Sequence, residues 1–231
     1  MTMAEDMMTL VERYFVQQAQ LYGKEFYVDT PVNSRGSRPQ SLNEFYMRIK
    51  DCQRCQLAAS RTNFVFGVGN SQANLMCVGE APGFEEDREG EPFVGKAGQL
   101  LNKILQAIGF RRDEVYIANI IKCRPPGNRD PEPDEIAACL PYLKQQIELV
   151  QPRLILALGR IAAQSLLQTS SPLGKLRGEV HDLGGVKVVV TYHPAALLRN
   201  PQWKRNTWED VKQLRKLYDE IVGDKPKMNL N

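Results

Sequence analysis

The run Leu75-Met76-Cys77-Val78-Gly79 decides the fold, because the rest of the chain repeats its pattern. A short uncharged run followed by a glycine-rich loop is typical of a strand buried on both faces of a sheet. Three further apolar runs are predicted as strands, at residues 115–121, 154–159 and 186–192. Helical patterns follow the strands, at residues 96–108, 134–150, 160–168 and 203–222. This alternation predicts a three-layer α/β/α fold around a mostly parallel sheet of four strands.

Toward the amino terminus the composition changes well before the first predicted strand. Apolar residues recur at helical spacing over residues 4–22, which predicts an amphipathic helix. Residues 29–40 are polar and rich in turn-forming residues, which indicates a flexible linker. The sequence Ser41-Leu42-Asn43-Glu44 is a capping box that starts the next helix. We therefore expect an N-terminal extension over residues 1–40 and one domain over residues 41–231.

The overall composition excludes several classes of protein. The chain has 231 residues, of which 42% are hydrophobic and 25% charged, and its formal net charge is +3. Such a composition is typical of a globular protein and excludes fibrous and disordered chains. No apolar run approaches the ~20 residues that cross a bilayer, so no membrane span is expected. The first six residues include two acids and no basic residue, so we expect a cytoplasmic protein without a secretory signal.

Four of the five cysteines form a pattern that indicates metal ligation. Cys52 and Cys55 form a CxxC pair, Cys123 follows the second predicted strand, and Cys139 lies in the next helix. Four thiolates can complete a tetrahedral zinc site or hold an iron–sulfur cluster, and the spacing alone does not separate the two. Cys77 lies within a strand and is expected to be a small packing residue.

The loops that follow the strands are the expected ligand site, because open parallel sheets bind ligands at the carboxyl ends of their strands. Residues 79–98 are rich in glycine, proline and carboxylates. Asn119 ends the second predicted strand, where an amide is costly to bury without a partner. His193, one of only two histidines, follows the fourth. Each segment also has a purely structural interpretation. Residues 79–98 could be a solvated acidic surface, the Asn119 amide could bond a nearby loop, and His193 could be a packed histidine.

Charge by segment is more informative than the total. Basic residues follow the His193 loop within residues 199–216, and others flank the cysteines within residues 122–129. They lie on both sides of the acidic, glycine-rich loop in the sequence. This arrangement suggests a polyanion bound outside and a small uncharged group bound inside, as in enzymes that flip a base out of DNA.

Taken in order, these motifs resemble those of family 4 uracil-DNA glycosylases, the iron–sulfur branch of that superfamily. The likeness covers roughly residues 48–222 and rests on Gly79-Glu80-Ala81-Pro82-Gly83, Glu86-Asp87, Pro92-Phe93-Val94-Gly95, Asn119 with Lys122-Cys123-Arg124-Pro125-Pro126, and His193-Pro194-Ala195-Ala196. The resemblance implies a [4Fe–4S] cluster held by Cys52, Cys55, Cys123 and Cys139. It also implies a monomeric base excision repair enzyme that acts on uracil in single- or double-stranded DNA and leaves an abasic site.

The same resemblance implies roles for residues of the pocket. Phe93 is expected to stack on the flipped uracil, Asn119 to bond its Watson–Crick edge, and Glu86 to exclude the methyl group of thymine. His193 is expected to donate a hydrogen bond to the base as the glycosidic bond breaks, because negative charge develops there. Glu80 is the candidate to orient the attacking water.

The remaining expected site residues lie beside these. Gly79 and Ala81 belong to the pocket motif, and Ala81 stands where the best-known branch of the superfamily has a catalytic aspartate. After His193, we expect Leu197 and Leu198 to form an apolar wedge that enters the duplex and Arg199 to contact phosphate. Two alternatives remain open: a weak or inactive DNA-binding module of the same fold, and a zinc-stabilised nucleotide-binding protein.

Overall fold

The computed structural model describes residues 39–228. The helix and linker predicted within residues 1–40 lie outside the described residues, apart from Pro39 and Gln40, so the extension stays a prediction. The strands are β1 (Val68–Gly69), β2 (Leu75–Gly79), β3 (Tyr116–Asn119), β4 (Leu154–Leu158), β5 (Val180–Leu183) and β6 (Val186–Thr191). The α-helices are α1 (Leu42–Ile49), α2 (Phe84–Glu89), α3 (Lys96–Ala107), α4 (Pro133–Val150), α5 (Arg160–Leu167), α6 (Leu173–Leu176), α7 (Pro194–Arg199) and α8 (Lys204–Ile221).

The sheet has the strand order β1-β3-β2-β4-β6-β5. Its four central strands are parallel and are the four that the apolar runs predict. The α/β class and the mostly parallel sheet are therefore confirmed. The sheet is wider than predicted, because β1 and β5 add an antiparallel strand at each edge. These two strands are short and partly exposed, so neither carries the continuous apolar run that marks the central strands.

Alternate side chains of the parallel strands enter two separate cores, one on each face of the sheet. On one face, Met76 and Val78 of β2 pack with residues of α1, α4 and α5. On the other face, Leu75 and Cys77 pack with residues of α3 and α8. The predicted three-layer arrangement follows directly from this division, and Cys77 is a fully buried packing residue as expected.

Strand register brings the functional segments to one edge of the sheet. Gly79 at the end of β2 pairs with Asn119 at the end of β3. On the other side of β2, Leu158 of β4 pairs with Thr191 of β6, two residues before His193. The loops after β2, β3 and β6 therefore leave the sheet at the same edge, where parallel sheets bind ligands. Within residues 39–228, no helix is both long enough and apolar enough to span a membrane.

Candidate active site and cysteine cavity

A cavity of about 340 Å³ lies at this edge of the sheet. Its volume falls within the range usual for small-molecule sites. Seven of the residues predicted from the sequence line it: Glu80, Ala81, Glu86, Phe93, Asn119, His193 and Arg199. The four cysteines predicted as ligands line a different, smaller cavity.

Phe93 forms one wall of the active-site cavity and is held in an unusual conformation. Its backbone φ is +56°, a value that non-glycine residues rarely adopt and that is often found at functional sites. Two glycines make room for it. A Cβ on Gly98 would lie 1.8 Å from the Phe93 carbonyl oxygen, and a Cβ on Gly79 would lie 2.5 Å from the Phe93 Cζ. Arg112 donates hydrogen bonds to the carbonyl oxygens of Pro92 (2.6 Å) and Phe93 (3.1 Å).

Asn119 carries the clearest unmet hydrogen-bonding capacity in the cavity. The residue is 1% exposed, yet its Oδ1 has no hydrogen-bond partner among the described residues. A Cβ on Gly79 would lie 2.5 Å from this oxygen, so only glycine leaves the space around it free. A buried acceptor without a partner costs about 1–3 kcal/mol. The loop bond proposed as a structural explanation for this asparagine is not present on Oδ1.

Glu86 lines the cavity, and its carboxylate is fully engaged by backbone amides. Oε1 accepts hydrogen bonds from the N–H groups of Val94 (2.9 Å) and Gly95 (3.0 Å), and Oε2 accepts one from Gly83 (3.1 Å). Glu86 thus ties together the two ends of the glycine-rich loop. Its predicted role against the thymine methyl stays a prediction, while its structural role in shaping the wall is visible in these contacts.

Glu80 follows β2 directly and is the carboxyl group of the cavity whose protonation is most perturbed. Burial, with a contribution from the nearby charge of Asp130, raises the pKa of Glu80 to about 7. Arg160 and Arg199 oppose this rise. A carboxylate with a pKa near neutrality is suited to accept or orient a proton at physiological pH.

His193 is the N-cap of α7, and this position fixes its tautomer. Its Nδ1 accepts a hydrogen bond from the N–H of Ala195 (3.2 Å), so the ring proton lies on Nε2. Burial, and then the charge of Arg199, lowers the pKa of His193 to about 4. The ring is therefore neutral at physiological pH and offers one N–H donor. It lies 5.5 Å from the Phe93 ring, centroid to centroid.

The segment after His193 corrects one expectation. Leu197 is 1% exposed and cannot form part of a wedge in this conformation, because α7 turns its side chain into the protein. Leu198 is 46% exposed, and Arg199 is exposed beside it. Sequence reasoning treated the segment as a loop, in which adjacent residues can share a direction. In a helix, adjacent residues point about 100° apart.

Two residues of the site were missed by sequence reasoning. Asp130 lines the cavity, raises the pKa of Glu80 and pairs with Arg160 at 2.7 Å. Arg112 holds the backbone on either side of the Phe93 peptide. Neither residue lies in a motif. The approach of Asp130 to Glu80 joins the loops after two different strands, which no local pattern reveals.

The four cysteines, from three chain segments, line one small cavity of about 10 Å³. Cys123 and Cys139 are buried, while Cys52 and Cys55 are partly buried. Burial raises the pKa of the Cys139 thiol to about 12, because a buried thiolate is unfavourable. A bound cation would offset this cost. No group of three or more His, Cys, Asp or Glu side chains within residues 39–228 is arranged to hold a metal ion.

Hydrogen-bond donors reach two of the four sulfur atoms of this cavity, those of Cys52 and Cys123. Arg61 donates to the Sγ of Cys123 (3.3 Å) and to the carbonyl oxygen of Cys52 (2.7 Å). The hydroxyl of Tyr142 and the backbone N–H of Arg54 lie 3.2 Å and 3.4 Å from the Sγ of Cys52. Donors of this kind stabilise thiolate ligands and tune bound iron–sulfur clusters.

This chain is similar to known proteins over most of its length. A family model described as the uracil DNA glycosylase superfamily matches residues 66–212. The chain is 44% identical over 186 residues to a type-4 uracil-DNA glycosylase of Archaeoglobus fulgidus, covering 77% of this chain and 94% of the relative. It is 46% identical over 172 residues to a type-4 uracil-DNA glycosylase of Thermotoga maritima, covering 73% of this chain and 90% of the relative. A type-5 uracil-DNA glycosylase of Pyrobaculum aerophilum is 31% identical over 188 residues, covering 67% and 83%.

Proposed function

This chain belongs to the uracil DNA glycosylase superfamily and, within it, to the type-4 enzymes. On that premise we propose that it removes uracil from DNA by hydrolysing the bond between the base and the deoxyribose. It is thereby an enzyme of DNA repair that leaves an abasic site. The alternative of a binding module without turnover is not favoured, since the curated relatives carry the name of the activity.

The single observation that carries this proposal is the buried, unpartnered Oδ1 of Asn119. Uracil presents an N3–H donor and an O4 acceptor side by side, which match the Oδ1 and Nδ2 of one asparagine amide. Cytosine presents an acceptor at N3 and a donor at N4, so the same amide orientation would face acceptor with acceptor. Binding uracil satisfies the orphaned oxygen, and binding cytosine does not.

Phe93 provides the surface on which the base stacks. Its ring lies within van der Waals reach of the space that Gly79 leaves open beside the Asn119 amide. A base placed against the ring can therefore meet the amide along its edge. Base–aromatic stacking contributes about 1–3 kcal/mol. The backbone strain at Phe93 is consistent with a residue held in place for this purpose.

His193 and Glu80 act on opposite charges that develop during bond cleavage. The Nε2–H of neutral His193 donates to the uracil oxygen that gains negative charge, and a preorganised donor of this kind contributes about 3 kcal/mol. Ionised Glu80 orients the water and faces the positive charge that develops on the sugar. Asp130 adds to this negative environment, while Arg160 balances it.

The DNA backbone lies outside the cavity in this proposal. Leu198 is the exposed apolar residue that enters the space left by the flipped base, and Arg199 contacts phosphate. Leu197 serves instead to anchor α7 in the protein.

We also propose that Cys52, Cys55, Cys123 and Cys139 hold a [4Fe–4S] cluster. The donor set fits: the described residues that line the cavity include four thiols and no histidine or carboxylate, and donors from Arg61 and Tyr142 reach two of the sulfur atoms. A single zinc ion is the competing occupant, because four thiolates also complete a zinc site, and metal analysis decides between the two. When bound, the cluster supplies a covalent joint between three segments of the chain.

Uracil release from a labelled oligonucleotide tests the function. The purified protein is incubated with single- and double-stranded DNA containing one uracil, and alkali then cleaves the abasic product. We expect cleavage of uracil DNA and none of matched thymine or cytosine DNA. Asn119→Ala should lower the single-turnover rate by about 100-fold, because base recognition is lost. Asn206→Ala, an exposed asparagine on α8, is the matched control and should retain the full rate.

Two outcomes would contradict the proposal. Intact, cluster-loaded protein that binds uracil DNA in a salt-dependent way without releasing the base would support the binding module instead. Colourless protein with stoichiometric zinc would exclude the cluster, whereas a brown solution with broad absorption near roughly 400 nm supports it.

A further inference from the structure

Lys122 is buried between the two cavities, and neither role described so far uses it. It is 0% exposed, three residues after Asn119 and directly before Cys123. Its Nζ donates to the carbonyl oxygen of Asn119 (2.9 Å) and to the Oε1 of Gln146 on α4 (2.5 Å). The side chain therefore folds back on the end of β3 and ties it to α4.

The Gln146 side chain completes this network and is itself 0% exposed. Its Nε2 donates to the carbonyl oxygen of Phe66 (2.9 Å) and to the hydroxyl of Tyr116 (3.1 Å). Gly67 has a φ of +148°, and a Cβ there would lie 2.7 Å from the Tyr116 hydroxyl oxygen. Backbone, hydroxyl and amide partners thus satisfy the hydrogen bonds of the network, and each partner is neutral.

No carboxylate of residues 39–228 forms an ion pair with Lys122. Within residues 39–228 its ammonium makes hydrogen bonds only to neutral oxygens. A buried charge without a counter-charge is costly, so such groups are normally paired. Lys122 directly precedes Cys123, and Cys139 and Cys123 are the ionisable groups that act on its charge; their thiols become negative when they bind a metal as thiolates. A [4Fe–4S]²⁺ core on four thiolates carries a net negative charge, which would balance the buried ammonium.

We propose that Lys122 is a positioning residue that links the cluster site to the base pocket: the cluster supplies its counter-charge, and its ammonium holds the Asn119 carbonyl so that the Asn119 amide faces the base. This inference rests on the proposed function. Among residues 39–228, the Oδ1 of Asn119 has no hydrogen-bond partner, so the placement of this oxygen depends on the backbone that carries it. The backbone is held on one side by the N–H of Ile120, which donates to the Gly79 carbonyl oxygen (2.9 Å), and on the other by Lys122.

The test compares Lys122→Met with Lys103→Met, an exposed lysine on α3, in cluster-loaded protein. Two quantities are measured: the single-turnover rate of uracil release and the reduction potential of the cluster by protein-film voltammetry. Lys122→Met should lower the rate about 10-fold, with DNA affinity unchanged within about twofold, because a hydrogen bond to a charged group is lost. It should also make the potential more negative, because a nearby positive charge is removed. Lys103→Met should change neither.

A second variant covers the case in which Lys122→Met does not fold. Lys122→Gln keeps a neutral N–H donor for the Asn119 carbonyl oxygen and removes the charge, so the rate should stay within about threefold while the potential becomes more negative. The link is overturned if either the rate or the potential of Lys122→Met equals that of the wild type, or if Lys122→Gln leaves the potential unchanged. If the wild type releases no uracil, the proposed function fails separately, and the potentials still decide whether Lys122 balances the cluster.

Discussion

The base pocket and the cysteine cavity begin four residues apart, at Asn119 and Cys123, yet they are built in opposite ways. In the base pocket an amide oxygen is buried without a partner and a phenylalanine is held at positive φ. In the cysteine cavity the surrounding side chains donate to the sulfur atoms. The first arrangement suits a ligand that enters and leaves, because the protein leaves a hydrogen-bond acceptor free for it. The second suits a group that stays bound, because the protein already directs donors at two of the sulfur atoms that would hold it.

The largest expected effect concerns the cysteine cavity and is a loss of protein stability. Cys139→Ala should abolish stoichiometric iron binding and lower the free energy of unfolding by about 3 kcal/mol or more, which is roughly 10 °C in Tm for a domain of this size. Cys77→Ala is the matched control, since this cysteine is also buried but lies in the sheet and outside the cavity. It should keep its iron and lose about 1 kcal/mol. Equal losses in both variants would show that the cavity has no special role.

The next effect concerns the base pocket alone. His193→Ala should lower the rate of uracil release about 10²–10³-fold without changing iron content, because it removes one preorganised donor. The only other histidine, His181, provides the control. It lies on the edge strand β5, which β4 and β6 separate from β2 and β3, and its ring bonds the carbonyl oxygen of Leu176. His181→Ala should keep the full rate. Loss of iron in His193→Ala would mean that the substitution also disturbs the cysteine cavity, so the lower rate would not measure the missing donor.

The pH dependence should follow Glu80 rather than His193. Because Glu80 acts in its ionised form and its pKa is raised to about 7, kcat/KM should rise about tenfold per pH unit below 7 and level off above it. The pKa of His193, lowered to about 4, produces no step above pH 5. Glu80→Gln should flatten the profile. Asp130→Asn removes a negative charge near Glu80, so it should move the midpoint to lower pH; a midpoint that does not move would exclude Asp130 from this role.

The smallest effect should appear only on duplex DNA. Leu198→Ala should lower excision from double-stranded DNA roughly tenfold and leave excision from single-stranded DNA unaffected. The leucine side chain becomes buried, and contributes about 1.5 kcal/mol, only where it fills the gap that the flipped base leaves in a duplex. Leu197→Ala should instead destabilise the protein by about 2–5 kcal/mol, since that leucine is in the interior. Thermal unfolding and excision on both substrates separate these outcomes.

The fold was largely predictable from the sequence because its central strands are buried on both faces. β2, β4 and β6 appear as apolar runs, and their observed ends lie within one residue of the predicted ones. β3 is shorter than its apolar run, because residues 120 and 121 continue beside β2 without remaining in the strand. The edge strands β1 and β5 escaped prediction, since their partly exposed residues lack that signal.

The sequence by itself determined the α/β class, the order of the motifs and the residue types of both sites, because strand burial and motif chemistry are recorded locally. Only the tertiary structure decided how those residues meet. It placed Asp130 beside Glu80, turned Leu197 inward and Leu198 outward, and left Oδ1 of Asn119 unpartnered. It also buried Lys122 between the two cavities. The physical reason is that burial, register and charge–charge distance belong to pairs of residues far apart in the chain, and no single segment encodes them.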